Sequence, residues 1–394
     1  MKKFKFLLFG IMLFAICISV DGKEGNKSIV SSVNWALAAD SSSRSLINNF
    51  WNTANGYFNF LSDTTTWGGH YWPQAHALDV LVDAYLRSGD DFYKSHFELW
   101  LKGVHHANGD KWANRYIDDM EWIGLAELRV YQATGNDAFL TVSKEVWYGT
   151  TDDREDPNAA FGISRSWTDA GEGGIFWESS RNRHSKNACS NGPAAILAAR
   201  LYQALGDKDD LEWAKRIYTW EKKFLFSPDS GAVYDNLNTQ TGVTNTRLVL
   251  TYNNQGTFLG AAIELYNITG DKTYINDAIK AADYTISRLI DFDDNILKRE
   301  GRGGGDAGLF KGIFVRYFTQ LILSDGINDE VRNRYIAFLK HNGETLWGEG
   351  TGRPRILFSP YWKIAPDEST GLTEHLSGCM LIEALSLLQK ENKL

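Results

Sequence analysis

Cysteine is scarce in this sequence, since only three of its 394 residues are cysteines. A small fold held together by disulfides is therefore excluded, because such chains are rich in cysteine. Positive charge is also in the minority, with 41 Lys and Arg against 49 Asp and Glu and a formal net charge of −8. Nucleic acid is an unfavourable ligand for such a chain, because phosphate binding requires clustered positive charge. The composition suits a neutral ligand.

Metal-binding patterns are lacking as well. His70 and His76 lie six positions apart, a spacing that does not place two ligands on one helix face, and His105 and His106 are adjacent and diverge. No calcium-loop pattern occurs in the sequence. We therefore expect neither a metal ion nor another cofactor.

Long hydrophobic runs are absent except at the N-terminus, where Phe6 to Val20 is almost wholly apolar and follows three lysines. This run is too short for a membrane span and has the length of a signal-peptide core. The sequence thus predicts a signal peptide over residues 1–22, export to the periplasm, cell surface or exterior, and no integral membrane span. A lipid anchor at Cys17 is the less favoured alternative, because Ile16 stands where a small residue is expected.

Glycines followed by Asp or Asn occur repeatedly at the ends of hydrophobic segments. Glycine suits the left-handed position after a helix, and Asp or Asn suits the N-cap of the next helix. Each such pair predicts a tight turn between two antiparallel helices. The pairs are Gly89-Asp90, Gly135-Asn136, Gly206-Asp207, Gly270-Asp271 and Gly326 with Asn328.

The helices before and after these turns differ in their hydrophobic pattern. Those before a turn are apolar nearly all round, as in Met120 to Tyr131, which is typical of helices covered on several sides. Those after a turn carry one apolar stripe, as in Ile275 to Leu289. A sixth apolar helix, Leu376 to Leu388, ends the chain, and an outer helix from Ser45 to Phe60 is expected to pair with the first inner one.

Six inner and six outer helices in alternation predict an all-α fold, an (α/α)6 barrel, over residues 23–394 as a single domain. An open solenoid would need regular repeats, whereas these markers are irregularly spaced. The connections from outer to inner helices are long, and such loops in a compact domain are usually functional. All of them would emerge on one face of the ring. The placement also puts Cys189 and Cys379 on different inner helices, so we expect two free thiols.

Two neighbouring carboxylates, Asp118 and Asp119, open the second inner helix. Their Cα atoms are about 3.8 Å apart, so the carboxyl groups can reach the separation of about 5–5.5 Å that retaining glycosidases use. Crowding two negative charges raises the pKa of one of them, which separates the roles of nucleophile and general acid. Helix capping is the alternative explanation, because other acidic doublets in this chain are suited to caps and turns.

Further polar and aromatic residues lie where the long loops enter the inner helices. Aromatic residues make up 13% of the chain, with 14 tryptophans, and indole rings can stack on the apolar faces of sugars. Amide groups there serve either as helix caps or as partners of sugar hydroxyls. The candidate substrate-binding residues are Trp67, Trp72, Asn187, Asn191, Tyr252, Asn253, Asn254, Gln255 and Lys311.

The run YIDDMEWIGLAELRVYQATGN, Tyr116 to Asn136, resembles the corresponding segment of glycoside hydrolase family 76, the endo-α-1,6-mannanases. KNACSNGPAA (Lys186 to Ala195), LTYNNQGTFLGAA (Leu250 to Ala262) and LFKGIFVRYF (Leu309 to Phe318) are similar to that family as well. The likeness extends over residues 45–390.

This resemblance implies an endo-acting, retaining glycoside hydrolase that cleaves α-1,6-linked mannan. It implies that Asp118 is the nucleophile and that Asp119 is the acid and then the base. The expected partner is an α-mannan oligosaccharide or polysaccharide, and we expect a monomer. The order of the two roles comes from the resemblance alone.

Two other functions stay open on the sequence. Other barrels of this type include unsaturated uronyl hydrolases, polysaccharide lyases and sugar epimerases, and Arg181, Arg183, Arg299 and Arg302 would serve a sugar carboxylate. A glycan-binding protein without catalysis is the other alternative. It predicts that the replacement of Asp118 with Asn leaves function intact. Transglycosylation is a variant of the hydrolase hypothesis.

Overall fold

The computed structural model describes residues 33–67, 69, 71–149, 162–180, 183–247, 252–301 and 305–394. Asn34–Leu394 form one compact unit. The predicted signal peptide and Cys17 lie outside the described residues.

Helices dominate the described part of the chain. In chain order they are α1 (Trp35–Phe50), α2 (Trp72–Ser88), α3 (Asp91–Lys94), α4 (Phe97–Ala107), α5 (Ile117–Thr134), α6 (Asp137–Tyr148), α7 (Ala188–Leu205), α8 (Lys208–Phe224), α9 (Tyr252–Thr269), α10 (Lys272–Arg288), α11 (Phe310–Leu323), α12 (Asp329–Gly348) and α13 (Leu372–Lys390), with short 3₁₀ turns at Ile163–Ser166 and Asp306–Gly308.

Six of these helices form a closed inner ring. Helix α2 packs on α5, α5 on α7, α7 on α9, α9 on α11 and α11 on α13, and α13 packs back on α2. The outer helices α1, α4, α6, α8, α10 and α12 lie between or behind them. The predicted (α/α)6 barrel is confirmed. The inner helices bury nearly all of their apolar side chains, as their all-round hydrophobic pattern predicts.

The inner helices begin earlier than their hydrophobic patterns indicate. Helix α5 starts at Ile117, three residues before the apolar run at Met120, and α7 starts at Ala188, five residues before Pro193. Polar residues occupy these first turns, so hydrophobic periodicity does not detect them. The first turns carry the polar side chains of the ring's loop face.

The predicted Gly turns form the opposite face of the ring. Gly89, Gly135, Gly206 and Gly270 have φ between 67° and 78°, the left-handed region, and each follows the last helical residue. The following Asp or Asn caps the next helix through its side chain, as Asp207 does by accepting from the amide of Asp209. Gly326 differs from the prediction. Helix α11 ends at Leu323 and an extended Ser324 follows, so that turn is made without a left-handed glycine.

The prediction of an outer helix from Ser45 to Phe60 was wrong in its bounds and its partner. Helix α1 spans Trp35–Phe50, and the chain then turns back in a hairpin. Helix α1 packs chiefly on α13 and only secondarily on α2. The backbone N–H of Trp35 donates to Oε1 of Gln389 at 3.1 Å, which holds the start of α1 beside the end of α13. The first and last helices therefore close the double ring together.

Short antiparallel strands lie on the loop face of the ring. Three hairpins directly follow α1, α10 and α12, and a three-stranded sheet with the order β3-β4-β5 joins a strand that precedes α7 to two strands that lie between α8 and α9. The strands are β1 (Trp51–Asn52), β2 (Tyr57–Phe58), β3 (Ser185–Asn187), β4 (Asn236–Asn238), β5 (Val243–Thr244), β6 (Ile290–Asp291), β7 (Ile296–Leu297), β8 (Thr351–Gly352) and β9 (Leu357–Phe358). They give the long loops a fixed shape.

Ion pairs fill part of the ring's interior between the inner helices. Asp79 of α2 accepts from Arg129 of α5 at 2.7 Å and also from Arg316 of α11. Burial alone would raise the pKa of Asp79, but the charges of Arg316 and Arg129 lower it. A buried carboxylate needs such partners, because removing one of them leaves an uncompensated charge.

Two sequence-based expectations concern cysteine and the membrane. Cys189 and Cys379 are free thiols on α7 and α13, as predicted. In the part of the chain that the structure describes, no helix has both the length and the apolar character to cross a bilayer.

Candidate active site

A cleft of about 1300 Å³ opens where the inner helices begin. Five of the six inner helices contribute described residues to its walls, so the ring itself sets its shape. The described lining residues are Gly69, Tyr71, Trp72, Tyr116, Asp118, Asp119, Trp122, Trp177, Asn187, Cys189, Asp235, Asn253, Asn254, Gly305, Asp306 and Phe310.

The two predicted catalytic carboxylates both line this cleft from the first turn of α5. No side chain caps this helix, because the residue before it is Tyr116. The amide N–H of Ile117 instead donates to the carbonyl oxygen of Trp177 at 2.9 Å. This loop contact brings the Trp177 ring to 4.9 Å from the Tyr116 ring, beside the acids.

Burial is the main influence on the acidity of Asp118. It raises the pKa of this carboxyl to about 7, and the charge of Asp306 adds to the rise. Hydrogen bonds from the Cys189 thiol and from the amides of residues 118 and 119 work in the opposite direction. One carboxyl oxygen, Oδ1, is buried without a hydrogen-bond partner. A polar atom left unpaired in this way is available to a ligand.

Asp119 is a weaker acid than an ordinary aspartate, and its pKa is raised by more than that of Asp118. Burial raises its pKa well above the usual range, and the charges of Asp118 and Asp306 raise it further. A second negative charge beside an ionised Asp118 is costly at low dielectric, so Asp119 retains its proton. At a pH between the two pKa values Asp118 is ionised and Asp119 protonated, which is the division that a nucleophile and an acid need.

Trp72 holds a third carboxyl group at the cleft. Its indole Nε1 donates to Oδ1 of Asp306 at 3.0 Å, and its ring stacks near Phe310 with centroids 6.3 Å apart. Helix α2 begins at this tryptophan, with Pro73 in the first turn where no amide donor is needed. The placement of Trp72 in the cleft agrees with the sequence-based expectation.

Amide groups from two elements also reach the cleft. Asn187 lines it from the end of β3, where its Oδ1 accepts from the Ser185 hydroxyl at 2.6 Å. Asn253 and Asn254 line it from the first turn of α9, and the Oδ1 atoms of both are buried without a partner. Nδ2 of Asn254 donates to Asp235 at 3.3 Å. These groups are suited to binding sugar hydroxyls.

Three predicted substrate-binding residues serve the scaffold and do not line the cleft. Asn191 is fully buried and bonds the amide and carbonyl of Ile175 and the carbonyl of Asn187. Gln255 is fully buried against the backbone of Gly231 and Val233. Lys311 is fully buried, donates to the Pro360 carbonyl at 2.7 Å and lies 4.1 Å from the centroid of the Trp362 ring.

Trp67 does not line the cleft either; it lines a separate depression beside α4. Tyr252 begins α9, and its side chain lies outside the described set. The sequence reasoning missed Asp235 and Asp306, although both stand in long loops before inner helices. An acid just before an inner helix was the signal that would have found Asp306, whereas Asp235 stands directly before β4, far from the start of α9.

The described residues include no cluster of three or more metal-ligating side chains. The described lining of the cleft contains four carboxyl groups and neither Lys nor Arg. Two neighbouring carboxyl groups in a cleft of this size are an arrangement that glycoside hydrolases use.

The chain belongs to glycosyl hydrolase family 76, whose family model matches residues 34–394. Among solved structures, it is similar to the α-1,6-mannanase of Salegentibacter sp. HEL1_6, at 39% identity and a TM-score of 0.82, over 90% of this chain and 100% of that one. An inactive variant of that mannanase, with asparagine at two consecutive aspartate positions, was solved with α-1,6-mannotriose. A Listeria innocua protein is 30% identical with a TM-score of 0.79, over 91% of this chain and 99% of that one.

Curated relatives are more distant. The mannan endo-1,6-alpha-mannosidase of Eremothecium gossypii is 26% identical over 229 residues, which are 55% of this chain and 50% of that protein. The protein of the same description from Saccharomyces cerevisiae is 25% identical over 290 residues, 68% of this chain and 61% of that protein. The chain thus spans about half of the length of the first relative and less than two thirds of the second.

Proposed function

We propose that the chain is an endo-acting, retaining glycoside hydrolase that cleaves α-1,6-mannosidic bonds in mannan. The observation that carries the proposal is the pair Asp118-Asp119, two neighbouring carboxyl groups that line one cleft and whose pKa values burial raises. The inactive Salegentibacter variant supports it, because two consecutive aspartates are replaced in that mannanase.

In this mechanism the ionised Asp118 attacks the anomeric carbon while the glycosidic C–O bond breaks. Asp119 donates its proton to the departing oxygen, which leaves a mannosyl ester on Asp118 and a carboxylate on Asp119. Asp119 then takes a proton from water, the water oxygen attacks the anomeric carbon, and Asp118 is released. Two inversions give net retention.

The charge of the cleft disfavours a uronate substrate. Four carboxyl groups line its described part without a Lys or Arg, so an anionic sugar would meet repulsion. Arg183 lies over the Phe176 ring and Arg299 is exposed outside the cleft. Arg181 and Arg302 fall outside the described residues. A neutral mannan chain fits this setting better.

Incubation with linear α-1,6-mannan tests the proposal. Mixed short oligosaccharides are expected, and NMR of the first products should show the α configuration. Release of monomer alone would contradict endo action, and β products would remove Asp118 from the nucleophile role. The variants Asp118→Asn and Asp119→Asn should each lose at least about 10² to 10⁴ in rate. An unchanged rate in Asp118→Asn would favour a binding protein.

Export through a signal peptide over residues 1–22, without a lipid anchor at Cys17, remains our prediction, as does a monomeric state. Mass spectrometry of the mature N-terminus after expression with the full sequence would test export and lipidation. Sedimentation analysis would test the oligomeric state.

A further inference from the structure

A second depression of about 1170 Å³ lies beside the cleft, between the β1-β2 hairpin and α4. Its volume slightly exceeds the usual range of ligand pockets, about 300–1,000 Å³, and it is open to solvent along one side. It shares no described lining residue with the catalytic cleft. The depression therefore needs an explanation of its own.

Two aromatic rings form one wall of this depression. Tyr57 and Trp67 meet edge to face, with ring centroids 4.9 Å apart, and both side chains are only half-buried. Leu99 of α4, also part of the lining, is 51% exposed. Apolar surface that clusters in this way on a folded protein marks a binding region. An indole beside a phenol offers flat apolar surface of the kind on which sugar rings stack.

Polar groups border the same wall. Lys102 and His106 lie one turn apart on α4, and Asn55 stands at the tip of the hairpin. Nδ1 of His106 is 3.0 Å from Asp110, a contact that orients the ring. A mixture of aromatic faces and hydrogen-bonding groups suits a polyhydroxylated neutral ligand better than a purely apolar one.

The floor of the depression is rigid because two glycines allow the backbone of the hairpin to pack directly against the backbone of α4. A Cβ on Gly103 of α4 would lie 2.2 Å from the carbonyl oxygen of Asn55. Gly56 has a φ of 70°, and a Cβ there would lie 2.4 Å from the carbonyl oxygen of Leu99. The hairpin thus rests directly on α4, and the depression is formed before any ligand arrives. Preformed sites avoid the entropic cost of ordering a loop on binding.

The chain itself links the depression to the cleft. Trp67 lines the depression, whereas Gly69, two residues later, lines the cleft and α2 begins at Trp72. Two residues span at most about 7 Å. A polymer that extends beyond the catalytic cleft on this side therefore meets the Tyr57-Trp67 wall within a short distance.

We infer that this depression is an accessory mannan-binding site, which holds the substrate chain where it leaves the catalytic cleft. The inference rests on the proposed function, since it takes its ligand from that substrate. It assigns Trp67 a sugar-stacking role outside the cleft. Long chains gain affinity from this site, and short oligosaccharides that fill only the cleft do not.

The variant Trp67→Ala tests the inference, with Phe292→Ala as a matched control, because Phe292 is a strongly exposed aromatic outside both sites. Initial rates are measured on long linear α-1,6-mannan and on α-1,6-mannotetraose. We expect Trp67→Ala to raise KM for the polymer about threefold to tenfold, with KM for mannotetraose and kcat for both substrates within about twofold of wild type. Phe292→Ala should match wild type on both substrates.

Binding is measured independently of turnover in the double variant Asp118→Asn/Asp119→Asn. Affinity electrophoresis in gels with α-1,6-mannan should show weaker retardation when Trp67→Ala is added, and Trp67→Phe should restore part of it. Equal KM for wild type and Trp67→Ala on the polymer, or an equal rise on mannotetraose, would overturn the accessory site. Failure of the wild-type protein to cleave either substrate would instead contradict the proposed function.

Discussion

At the scale of single residues, the chemistry of the cleft depends on three acids that influence one another. Asp306 contacts Trp72 and adds its charge to the environment of both Asp118 and Asp119. It is therefore a positioning residue whose effect is electrostatic. Its role can be separated from a purely structural one by the pH dependence of the reaction.

The variant Asp306→Asn should shift the pH profile of kcat/KM to lower pH. The proposed mechanism requires Asp118 ionised and Asp119 protonated, so we expect the wild-type profile to be a bell whose acidic limb lies near pH 7, where burial places the pKa of Asp118. Removing the negative charge of Asp306 lowers the pKa of both acids, because each ionises more easily. Both limbs therefore move in the same direction.

Asp293→Asn is the control, since it removes the same charge from an exposed turn outside the described lining of the cleft. It should leave both limbs in place. A lower rate in Asp306→Asn without displacement of either limb would show that Asp306 acts only by holding Trp72.

Residues of the site could be predicted from the sequence only where the local sequence pattern made a polar side chain stand out. The doublet Asp118-Asp119 was found because it opens an otherwise apolar helix. Asn191 and Gln255 were proposed by the same logic but lie outside the cleft lining, since their amides bond to backbone that lies distant in sequence. Long-range hydrogen bonds of this kind leave no periodic trace in a sequence.

At the scale of elements, the left-handed glycines were the most reliable signal, and their effect can be measured. Gly135 ends α5 with a φ of 72°, and a Cβ built there would meet nothing within 4 Å. Gly135→Ala should therefore lower the free energy of unfolding by about 1–2 kcal/mol through backbone strain alone. Urea denaturation followed by circular dichroism measures this change.

Gly135→Asn should lose less stability than Gly135→Ala, because asparagine tolerates the left-handed conformation. The proposed hydrolysis of mannan should be unaffected in both, since the turn lies on the face opposite the cleft. Equal losses in the two variants would show that conformational strain is not the cause.

Hydrophobic pattern predicted the number and order of the main helices but not where they begin. Helix α1 was placed ten residues too late, because its start contains polar residues such as Asp40 and Ser41 among the apolar ones. Its hairpin was missed because two-residue strands are too short to show alternation. Polar first turns and short hairpins are set by contacts with other loops.

At the scale of the whole molecule, buried ionisable groups make stability depend on pH in two opposing ways. Burial lowers the pKa of His76 and His375 from 6.5 to about 3. Burial also raises the pKa of Glu121, Glu127 and Glu221 well above 4.5. The folded protein thus keeps both sets neutral.

For these five groups stability should be greatest near pH 4.5, because between pH 4.5 and 6.5 the three glutamates favour the lower pH by more than the two histidines oppose it. Below pH 6.5 the two histidines are protonated in the unfolded chain but stay neutral in the folded protein. Each histidine therefore lowers the free energy of unfolding by about 1.4 kcal/mol per pH unit down to pH 3. Above pH 4.5 the unfolded chain releases protons from the three glutamates that the folded state retains, so stability falls as pH rises. Urea unfolding across pH 4 to 9 measures the resulting maximum.

Glu127→Gln supplies the control for this pH dependence. Burial is the cause of the raised pKa of Glu127, and both of its carboxyl oxygens are buried without a partner. The free energy of unfolding of Glu127→Gln, compared with that of wild type, should increase steadily as pH rises above 4.5. A difference that is constant with pH would show that Glu127 is ionised in the folded state.

The hydrogen bond between Trp35 and Gln389 has a consequence for how the enzyme can be attached to other structures. It brings the two ends of the barrel together on the side of the glycine turns, behind the catalytic mouth. A tether or fusion partner joined at either end would leave that mouth pointing outward. The same proximity makes the barrel a candidate for circular permutation, with a short linker across the ends and a new opening in a glycine turn.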